Sequence, residues 1–336
     1  MLRRTVAVGL LSRIAVDVER TQSVLICDRE QLVRGEGIPS GPWGLALSFA
    51  ELARADRQPR WRALAQRLAK IDCGGSGEGL FGGPEGQWVA LSAAGTRLNI
   101  PQADRDSSPK GDLMDGGPGI AWAHRCLGRT AARPNTGASS DVGAALQRAG
   151  LAHGELGIAA AYADAHSDLS VARLREFTVD LSLAGWCNGI AGVAVAALLA
   201  ADTCPDSDHT ALAKEAVLES LAMPKLETDG LCHGVMGVLV VGAAVARATG
   251  DRELETKVSS AADAMCRRVR REGWRLETSR VVDQSWLTGV AGIAWALLVI
   301  DSRPVVNPLC PVDAVRGNNA AFSGLPKQLS TSPRHS

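Results

Sequence analysis

The sequence predicts an all-α fold in which seven outer and seven inner helices close into an α/α toroid. A Gly-x-x-Gly step followed at once by an apolar run occurs seven times along the chain. Between these runs lie stretches whose apolar residues recur at helical spacing, and no strand pattern of comparable strength accompanies them. The low aromatic content of 4 %, together with abundant Ala and Gly, favours closely packed helices.

The glycine steps mark the starts of the predicted inner helices. One such step is a weak signal, but seven at intervals of 33 to 55 residues indicate a repeated unit. The runs that follow them are apolar nearly all round, which predicts helices buried on every side. The steps begin at Gly41, Gly83, Gly116, Gly154, Gly189, Gly234 and Gly289.

Stretches between the inner helices have the one-sided pattern of outer helices. Charged and amide residues occupy the positions between their apolar residues, so one face meets the core and the other meets solvent. Closing such pairs into a ring buries every inner helix and leaves no exposed terminal repeat. The clearest apolar stripes are Trp61, Leu64, Leu68 and Ile71, and then Leu254, Val258, Ala262, Met265 and Val269.

The repeats predict one domain over residues 1–302, followed by a loosely ordered tail at 303–336. The start of the chain is expected to form an amphipathic helix, because Arg13, Asp17 and Glu19 interrupt its apolar residues. Polar loops are expected at 96–111 and 128–141. The tail is rich in Pro, Asn and Ser, a composition that disfavours a packed core.

Composition narrows the classes of function. Lys plus Arg equals Asp plus Glu, so the formal net charge is zero and no basic excess supports a nucleic-acid partner. No segment approaches the roughly 20 continuous apolar residues of a membrane span. The eight cysteines are scattered and form no Cys-x-x-Cys pair, which favours metal binding or burial over disulfides and predicts the reducing cytoplasm.

Reactive side chains are concentrated just before the glycine steps, where a closed ring brings its turns together on one rim. Cys187 and Cys232 each lie two residues before the first glycine of a step. His153 and His233 immediately precede such a glycine. Two thiols and an imidazole from adjacent repeats suit Zn²⁺, and three protein ligands leave a fourth coordination position open for chemistry.

Two aspartates occupy the corresponding part of the third repeat. Asp115 immediately precedes Gly116, and Asp112 lies three residues earlier. Asp115 is expected to cap the inner helix that begins near Gly116. In the remaining repeats the position before the first glycine holds the chemically inert Ser40, Gly82 and Thr288.

Each thiol and imidazole also has a structural interpretation. A buried Cys usually acts as a small apolar side chain, and a His at a turn usually makes hydrogen bonds only. For Cys187, Cys232 and His233 the shared register favours the metal site over this alternative. For the rest the structural interpretation is preferred: Cys27, Cys73, Cys126, Cys204, Cys266, Cys310, His124, His166, His209 and His335.

The same segments resemble the motifs of LanC-type lanthionine cyclases. GWCNG at 185–189 and LCHG at 231–234 look like the two zinc motifs of that family. DLMDG at 112–116 and AHG at 152–154 are similar to its acidic and histidine motifs, in the same chain order. The resemblance implies an α/α toroid that binds Zn²⁺ through Cys187, Cys232 and His233 and acts on a dehydrated precursor peptide.

The reaction implied by this resemblance is the addition of a peptide Cys thiol to dehydroalanine or dehydrobutyrine. A free Cys has a pKa of about 8.5, whereas zinc deprotonates a coordinated thiol outright. Addition to the β-carbon creates an enolate, which needs a proton at the α-carbon. His153 is the candidate for that proton transfer, and Asp112 is the candidate that orients or polarises His153.

The sequence departs from the family pattern at two places. Leu183 stands where the family commonly has an Arg, four residues before its first zinc Cys, and Asn188 replaces an aromatic. Arg173 or Arg175 is a conjectured substitute for the missing charge. A non-catalytic, LanC-like scaffold in a peptide-modifying complex is therefore one alternative.

Other zinc or toroid enzymes are further alternatives. A prenyltransferase-like enzyme also activates a peptide thiol, but it needs a lipid pocket usually lined with aromatics, and this chain has one Tyr and four Phe. A glycosidase needs two opposed carboxylates and sugar-stacking aromatics. The cyclase interpretation implies two partners, a separate dehydratase and an exporter complex. It also implies a cytoplasmic location, with peripheral contact to the inner face of the membrane through such a biosynthetic complex.

Overall fold

The computed structural model describes the chain in ranges that include all seven glycine steps. These ranges are residues 2–25, 37–72, 79–96, 111–114, 116–129, 150–163, 169–179, 183–203, 207–223, 226–276 and 283–312. Within them the chain forms α-helices and no strand, apart from an isolated bridge between Gly111 and Gly116. None of these helices combines the length and the apolarity needed to cross a membrane.

The described helices are inner ones that form a ring, outer ones that cover it, and two helices of four residues that precede the first two inner helices. In chain order they are α1 (Leu2–Leu25), α2 (Gly37–Ser40), α3 (Pro42–Asp56), α4 (Pro59–Ala69), α5 (Gly79–Gly82), α6 (Pro84–Ala93), α7 (Gly117–Cys126), α8 (Glu155–Ala161), α9 (Val171–Val179), α10 (Ile190–Thr203), α11 (Ser207–Ala222), α12 (Val235–Thr249), α13 (Arg252–Glu272) and α14 (Val290–Val299).

Seven inner helices form the closed ring that the repeats predict. They are α3, α6, α7, α8, α10, α12 and α14, and each packs against the next. The last, α14, packs against the first, α3, which closes the circle. The α/α toroid is thereby confirmed. All seven helices begin directly after the first glycine of a step, so their N-termini lie on the same rim.

Outer helices cover the inner ring on its solvent side. Within the described ranges these are α1, α4, α9, α11 and α13, and most of the polar loops expected at 96–111 and 128–141 lies outside those ranges. The predicted stripes are buried from Trp61 to Leu68 and from Leu254 to Met265. The first helix, α1, packs against both α14 and α3, so the start of the chain seals the ring closure.

The second glycine of each step is required by a close backbone contact. A Cβ atom at any of the seven would lie 1.7–2.7 Å from the carbonyl oxygen of the residue six positions earlier. Gly292 against Trp286 and Gly237 against Leu231 are examples, at 1.7 and 1.9 Å. Only glycine therefore allows the turn to fold back onto the first turn of its own inner helix.

An apolar side chain from the neighbouring repeat occupies the space beside several of these glycines. A Cβ on Gly192 would lie 2.9 Å from Leu151 Cβ, and a Cβ on Gly44 would lie 2.4 Å from Trp286 Cβ. The positions that supply these side chains are three residues before the first glycine of each step. All seven are buried apolar residues: Ile38, Leu80, Leu113, Leu151, Trp186, Leu231 and Trp286.

The end of the described chain packs into the toroid beyond the predicted domain boundary at 302. In residues 303–312, hereafter the C-terminal segment, Val306, Leu309 and Val312 are buried. The indole N–H of Trp122 donates to the carbonyl oxygen of Pro308 at 2.8 Å. The expected loosely ordered tail therefore begins no earlier than 313, and residues 313–336 lie outside the described ranges.

We expect Gly292→Ala to lower the free energy of unfolding by about 1–3 kcal/mol, because the added methyl group overlaps the Trp286 carbonyl oxygen. Urea denaturation followed by far-UV circular dichroism measures the change. Gly9→Ala is the matched control, since a Cβ there meets nothing within 4 Å.

In this control α1 gains a better helix former, so the expected change is stabilisation of about 0.5–1 kcal/mol. Equal and small effects of the two substitutions would show that the close contact at Gly292 does not constrain the fold.

Candidate functional site

The three predicted metal ligands lie together on the rim. The ligand atoms of Cys187, Cys232 and His233 are all within 4.8 Å of one another. Cys187 Sγ is 3.7 Å from His233 Nδ1. The described ranges contain no other group of three or more Cys, His, Asp or Glu side chains with this geometry. Residues that occupy the same positions in adjacent repeats are therefore close together in the structure.

Backbone hydrogen bonds between neighbouring turns hold the two cysteines in place. The Cys187 N–H donates to the carbonyl oxygen of Cys232 at 3.1 Å, and the Cys232 N–H donates to that of Leu287 at 3.0 Å. In the other direction, the Ala152 N–H donates to the Cys187 carbonyl oxygen at 2.9 Å. The main chain of Cys187 is therefore fixed on both sides by the adjoining repeats.

A glycine allows the two cysteine-bearing turns to touch. A Cβ on Gly185 would lie 2.6 Å from the Cα atom of His233. Any larger residue at 185 would push His233 away from Cys187. The glycine of the GWCNG segment is thus part of the cluster's geometry, although it offers no ligand atom.

The electrostatic environment favours the thiolate at Cys187. The hydrogen bond with Cys232 lowers the pKa of Cys187 to about 5, with help from His233 and against the opposing effect of burial. Cys187 also lies just before the N-terminus of α10, where the helix dipole favours negative charge. By contrast, burial raises the pKa of Cys266 on α13.

The donor set fits zinc. Two sulfurs and one imidazole nitrogen are soft and borderline ligands that suit Zn²⁺, and the thiol at Cys187 needs little free energy to lose its proton. Cys187 is only 5 % exposed, whereas His233 is exposed to solvent. The cluster is therefore buried on one side and accessible on the other, as expected when a fourth position is open to a substrate.

His153 and Asp112 form a hydrogen-bonded pair on the same rim. His153 Nδ1 lies 2.9 Å from Asp112 Oδ2, and the other carboxylate oxygen accepts the backbone N–H of Met114 at 2.8 Å. Since an ionised carboxylate only accepts, it selects the imidazole tautomer with hydrogen on Nδ1 and leaves Nε2 for other partners. Ala152, which bonds to Cys187, places this pair in the turn next to the cluster.

Thr288 belongs to a hydrogen-bonded group that the sequence did not predict. Its hydroxyl donates to Asp283 Oδ2 at 2.8 Å, and the same carboxylate oxygen accepts the Ser285 hydroxyl at 2.9 Å. This group closes the turn before α14, next to the turn of Cys232. The available signal was the Asp-x-Ser-x-x-Thr spacing, which is typical of a side-chain-capped turn.

A buried aspartate, three residues before Cys232, stabilises the turn of that residue. Asp229 is 1 % exposed, and its Oδ2 accepts the backbone N–H of Arg275 at 2.8 Å. Its other oxygen accepts a hydrogen bond from Arg268 of α13. Sequence analysis missed this residue, because nothing local distinguishes it from a surface aspartate.

Leu183 and the two conjectured substitutes for the missing arginine lie in different surroundings. Leu183 is 56 % exposed. Arg175 forms an exposed ion pair with Glu215 of α11, whereas Arg173 reaches Glu155 in the first turn of α8 at 3.4 Å. Of the two conjectured substitutes, Arg173 is thus the one beside the turn of His153.

The remaining Cys and His residues are buried where the structure describes them. Cys126, Cys266 and Cys310 lie in the core, as do His124 and His209. His209 Nε2 is 2.7 Å from the carbonyl oxygen of Leu169, a structural hydrogen bond. The others lie outside the described ranges, together with the predicted cap Asp115: Cys27, Cys73, Cys204, His166 and His335.

Comparison with known proteins identifies the family. The family described as lanthionine synthetase C-like protein matches residues 127–303, which is more than half of the chain. The chain belongs to the lanthionine synthetase C-like family. The matched region includes the cysteine–histidine cluster and His153, but Asp112 precedes it.

A solved structure supports the same fold. The chain is similar to nisin cyclase with a TM-score of 0.58 and 12 % identity, over 90 % of this chain and 98 % of that one. At this identity the likeness concerns the toroid and not the individual site residues. No curated protein matches the chain by sequence.

We expect this LanC-like protein to bind about one Zn²⁺ per chain, with three protein ligands and an open fourth position. Cys187→Ala and Cys232→Ala should each abolish stoichiometric binding while the helical circular dichroism signal persists. Metal content is measured by inductively coupled plasma mass spectrometry after repletion and desalting under reducing conditions.

Cys266→Ala is the control, because it also removes a buried thiol but lies outside the cluster. Its zinc content should equal that of the unmodified protein. Absence of zinc from the unmodified protein after repletion would contradict a metal site.

Proposed function

We propose that this protein is a zinc-dependent lanthionine cyclase that acts on a ribosomally made, dehydrated precursor peptide. The observation that carries the proposal is the placement of a Cys–Cys–His cluster and a His–Asp pair on adjoining turns of one rim. The first group suits thiol activation, and the second suits proton transfer. Membership of the lanthionine synthetase C-like family supports the same activity.

Cys187, Cys232 and His233 would hold the zinc ion. When bound, zinc supplies the Lewis acidity that keeps a fourth ligand, the thiol of the substrate Cys, in its thiolate form. The protein's own two thiolates add negative charge at the centre, which keeps the substrate sulfur nucleophilic. The exposed side of the cluster, at His233, gives the peptide access.

Bond formation then needs one proton from the protein. The substrate sulfur forms a bond to the β-carbon of dehydroalanine or dehydrobutyrine, and the π electrons move onto the α-carbon and its carbonyl as an enolate. His153 donates a proton from Nε2 to the α-carbon, which completes the thioether. Asp112 holds the ring through its hydrogen bond with Nδ1, which leaves Nε2 as the nitrogen that carries the transferred proton. The proton released by the substrate thiol balances the one consumed.

A non-catalytic scaffold is the second candidate. The observation that favours it is Leu183, an exposed apolar residue where the family commonly carries an arginine. A scaffold would bind zinc and the peptide without accelerating addition, so metal content alone does not separate the two candidates. The His153–Asp112 pair favours catalysis, because a scaffold has no need of an oriented imidazole.

The interior of the ring disfavours a prenyltransferase-like activity. Phe81 and Trp186 belong to opposite sides of the ring and meet at a centroid distance of 5.9 Å. The C-terminal segment also contacts Trp122 and Trp186 inside the ring. These side chains fill part of the interior, which leaves less room there for a long lipid.

The cyclase proposal implies partners. The dehydrated residues of the substrate must be made by a separate dehydratase, and the product must be passed on, for which an exporter complex is the proposed recipient. We therefore expect at least transient contact with the dehydratase.

We expect His153→Ala to lower the cyclisation rate about 100-fold or more without changing zinc content, because proton transfer is lost and the ligands remain. Asp112→Asn should lower the rate by a smaller factor, since the imidazole persists without its carboxylate. The probe is a synthetic peptide with one Cys and one dehydroalanine several residues apart.

Cyclisation leaves the mass of this probe unchanged, so the reaction is followed by the loss of alkylatable thiol in quenched samples. A rate equal to that of the peptide alone, measured with zinc-loaded unmodified protein, would contradict the cyclase and support the scaffold. An unimpaired His153→Ala variant would remove His153 from the mechanism.

A further inference from the structure

The C-terminal segment contacts the ring at three points that are far apart in the chain. The Val305 N–H donates to Glu51 Oε1 of α3 at 2.7 Å, and Trp122 of α7 donates to the Pro308 carbonyl oxygen at 2.8 Å. Glu51 is itself only 2 % exposed. Arg303 and Val305 are exposed, whereas residues 306–312 are buried, so the segment starts at the surface and runs into the interior between inner helices.

The third contact leads directly to the metal cluster. The indole N–H of Trp186 donates to the carbonyl oxygen of Leu309 at 2.8 Å. Trp186 is fully buried and precedes the ligand Cys187 in the chain. The C-terminal segment is thus tied to the residue next to a metal ligand.

Main-chain hydrogen bonds hold the turn of Cys187 to its own helix, through Ile190 N–H and the Leu183 carbonyl oxygen at 2.9 Å, and to the neighbouring turns. Its peptide groups bond to Ala152 and Cys232 in the two adjoining turns, which fixes the position around the ring. Trp186 extends from the same turn into the interior, where it contacts Phe81 edge to face and Leu309 through its hydrogen bond. This second direction of support limits movement of the turn toward or away from the interior.

We propose that Trp186 is a positioning residue for the metal cluster. Its hydrogen bond to the C-terminal segment holds the turn of Cys187 in place. The inference rests on the proposed metal site, because it assigns a function to residues around that site. Trp186 contributes no ligand atom; it fixes the turn from which the Cys187 sulfur projects.

Asn307 fixes the backbone conformation of the C-terminal segment. Its side-chain oxygen accepts the backbone N–H groups of Leu309 and Cys310, each at 3.2 Å, and the residue is 1 % exposed. These bonds form a tight turn that presents the Leu309 carbonyl oxygen to Trp186. Asn307→Ala should therefore disturb the Cys187 turn, although the two residues are 120 positions apart (307 − 187).

Trp122 provides a matched control within the same protein. Like Trp186 it is fully buried, and it donates one indole hydrogen bond of 2.8 Å to a carbonyl oxygen of the C-terminal segment. It lies on α7, far in sequence from the Cys187 turn, and it donates to Pro308, whereas Trp186 donates to Leu309, so Trp122→Phe removes no hydrogen bond made by the Cys187 turn. Trp122→Phe and Trp186→Phe remove the same chemical group and retain a ring.

The first experiment measures accessibility of Cys187 in metal-free, full-length protein. N-ethylmaleimide is applied at one fixed pH, and modification of Cys187 is quantified over time by peptide mass mapping. We expect Trp186→Phe and Asn307→Ala to raise the modification rate about tenfold, whereas Trp122→Phe leaves it unchanged. Equal rates in Trp186→Phe and Trp122→Phe would overturn the inference.

The second experiment measures zinc affinity by competition with a chromophoric chelator. Loss of a residue that orients a ligand weakens metal binding about 10-fold or more, and we expect this for Trp186→Phe but not for Trp122→Phe. If the unmodified protein binds no zinc, the proposed metal site fails, and the accessibility of Cys187 still decides whether Trp186 positions its turn. Should Trp186→Phe not fold, Asn307→Ala decides both measurements.

Discussion

The structure depends on one contact, the approach of a carbonyl oxygen to the second glycine of each step. Seven times, the turn before an inner helix folds back onto the first turn of that helix, at a distance that excludes a Cβ atom. The apolar residue whose carbonyl makes this contact is buried in every repeat. Because the contact is the same in each repeat, all seven turns have nearly the same geometry and lie on one rim, with the positive ends of the inner helix dipoles beside them.

The site follows from this uniformity. Main-chain hydrogen bonds link the turns of Ala152, Cys187 and Cys232 in series, so the position two residues before each step is set by the backbone. Replacing the side chain at that position changes the chemistry without disturbing the ring. Cysteine at two adjacent repeats, with histidine beside one of them, is sufficient to bring together three side chains that could hold a metal ion. The repeats without such residues supply structure, as the capped turn of Thr288 does.

This division of roles explains how the fold is retained at 12 % identity to nisin cyclase. The toroid requires glycines, buried apolar residues and alternating helix faces, which many sequences satisfy. The site requires particular side chains at a few positions, and supports such as Asp229 and the C-terminal segment are recruited from elsewhere in the chain. A departure such as Leu183 therefore bears on the proposed catalysis and not on the fold.

The amino-acid sequence by itself determined the helical class, the seven inner helices and the membership of Cys187, Cys232 and His233 in one cluster. Those features follow from local periodicity and from a register repeated along the chain. Only the tertiary structure decided that α1 seals the ring against α14 and that residues 303–312 enter the interior to meet Trp186. Each of these contacts joins residues that are distant in sequence and carry no repeated pattern, so their distances are set by closure of the ring.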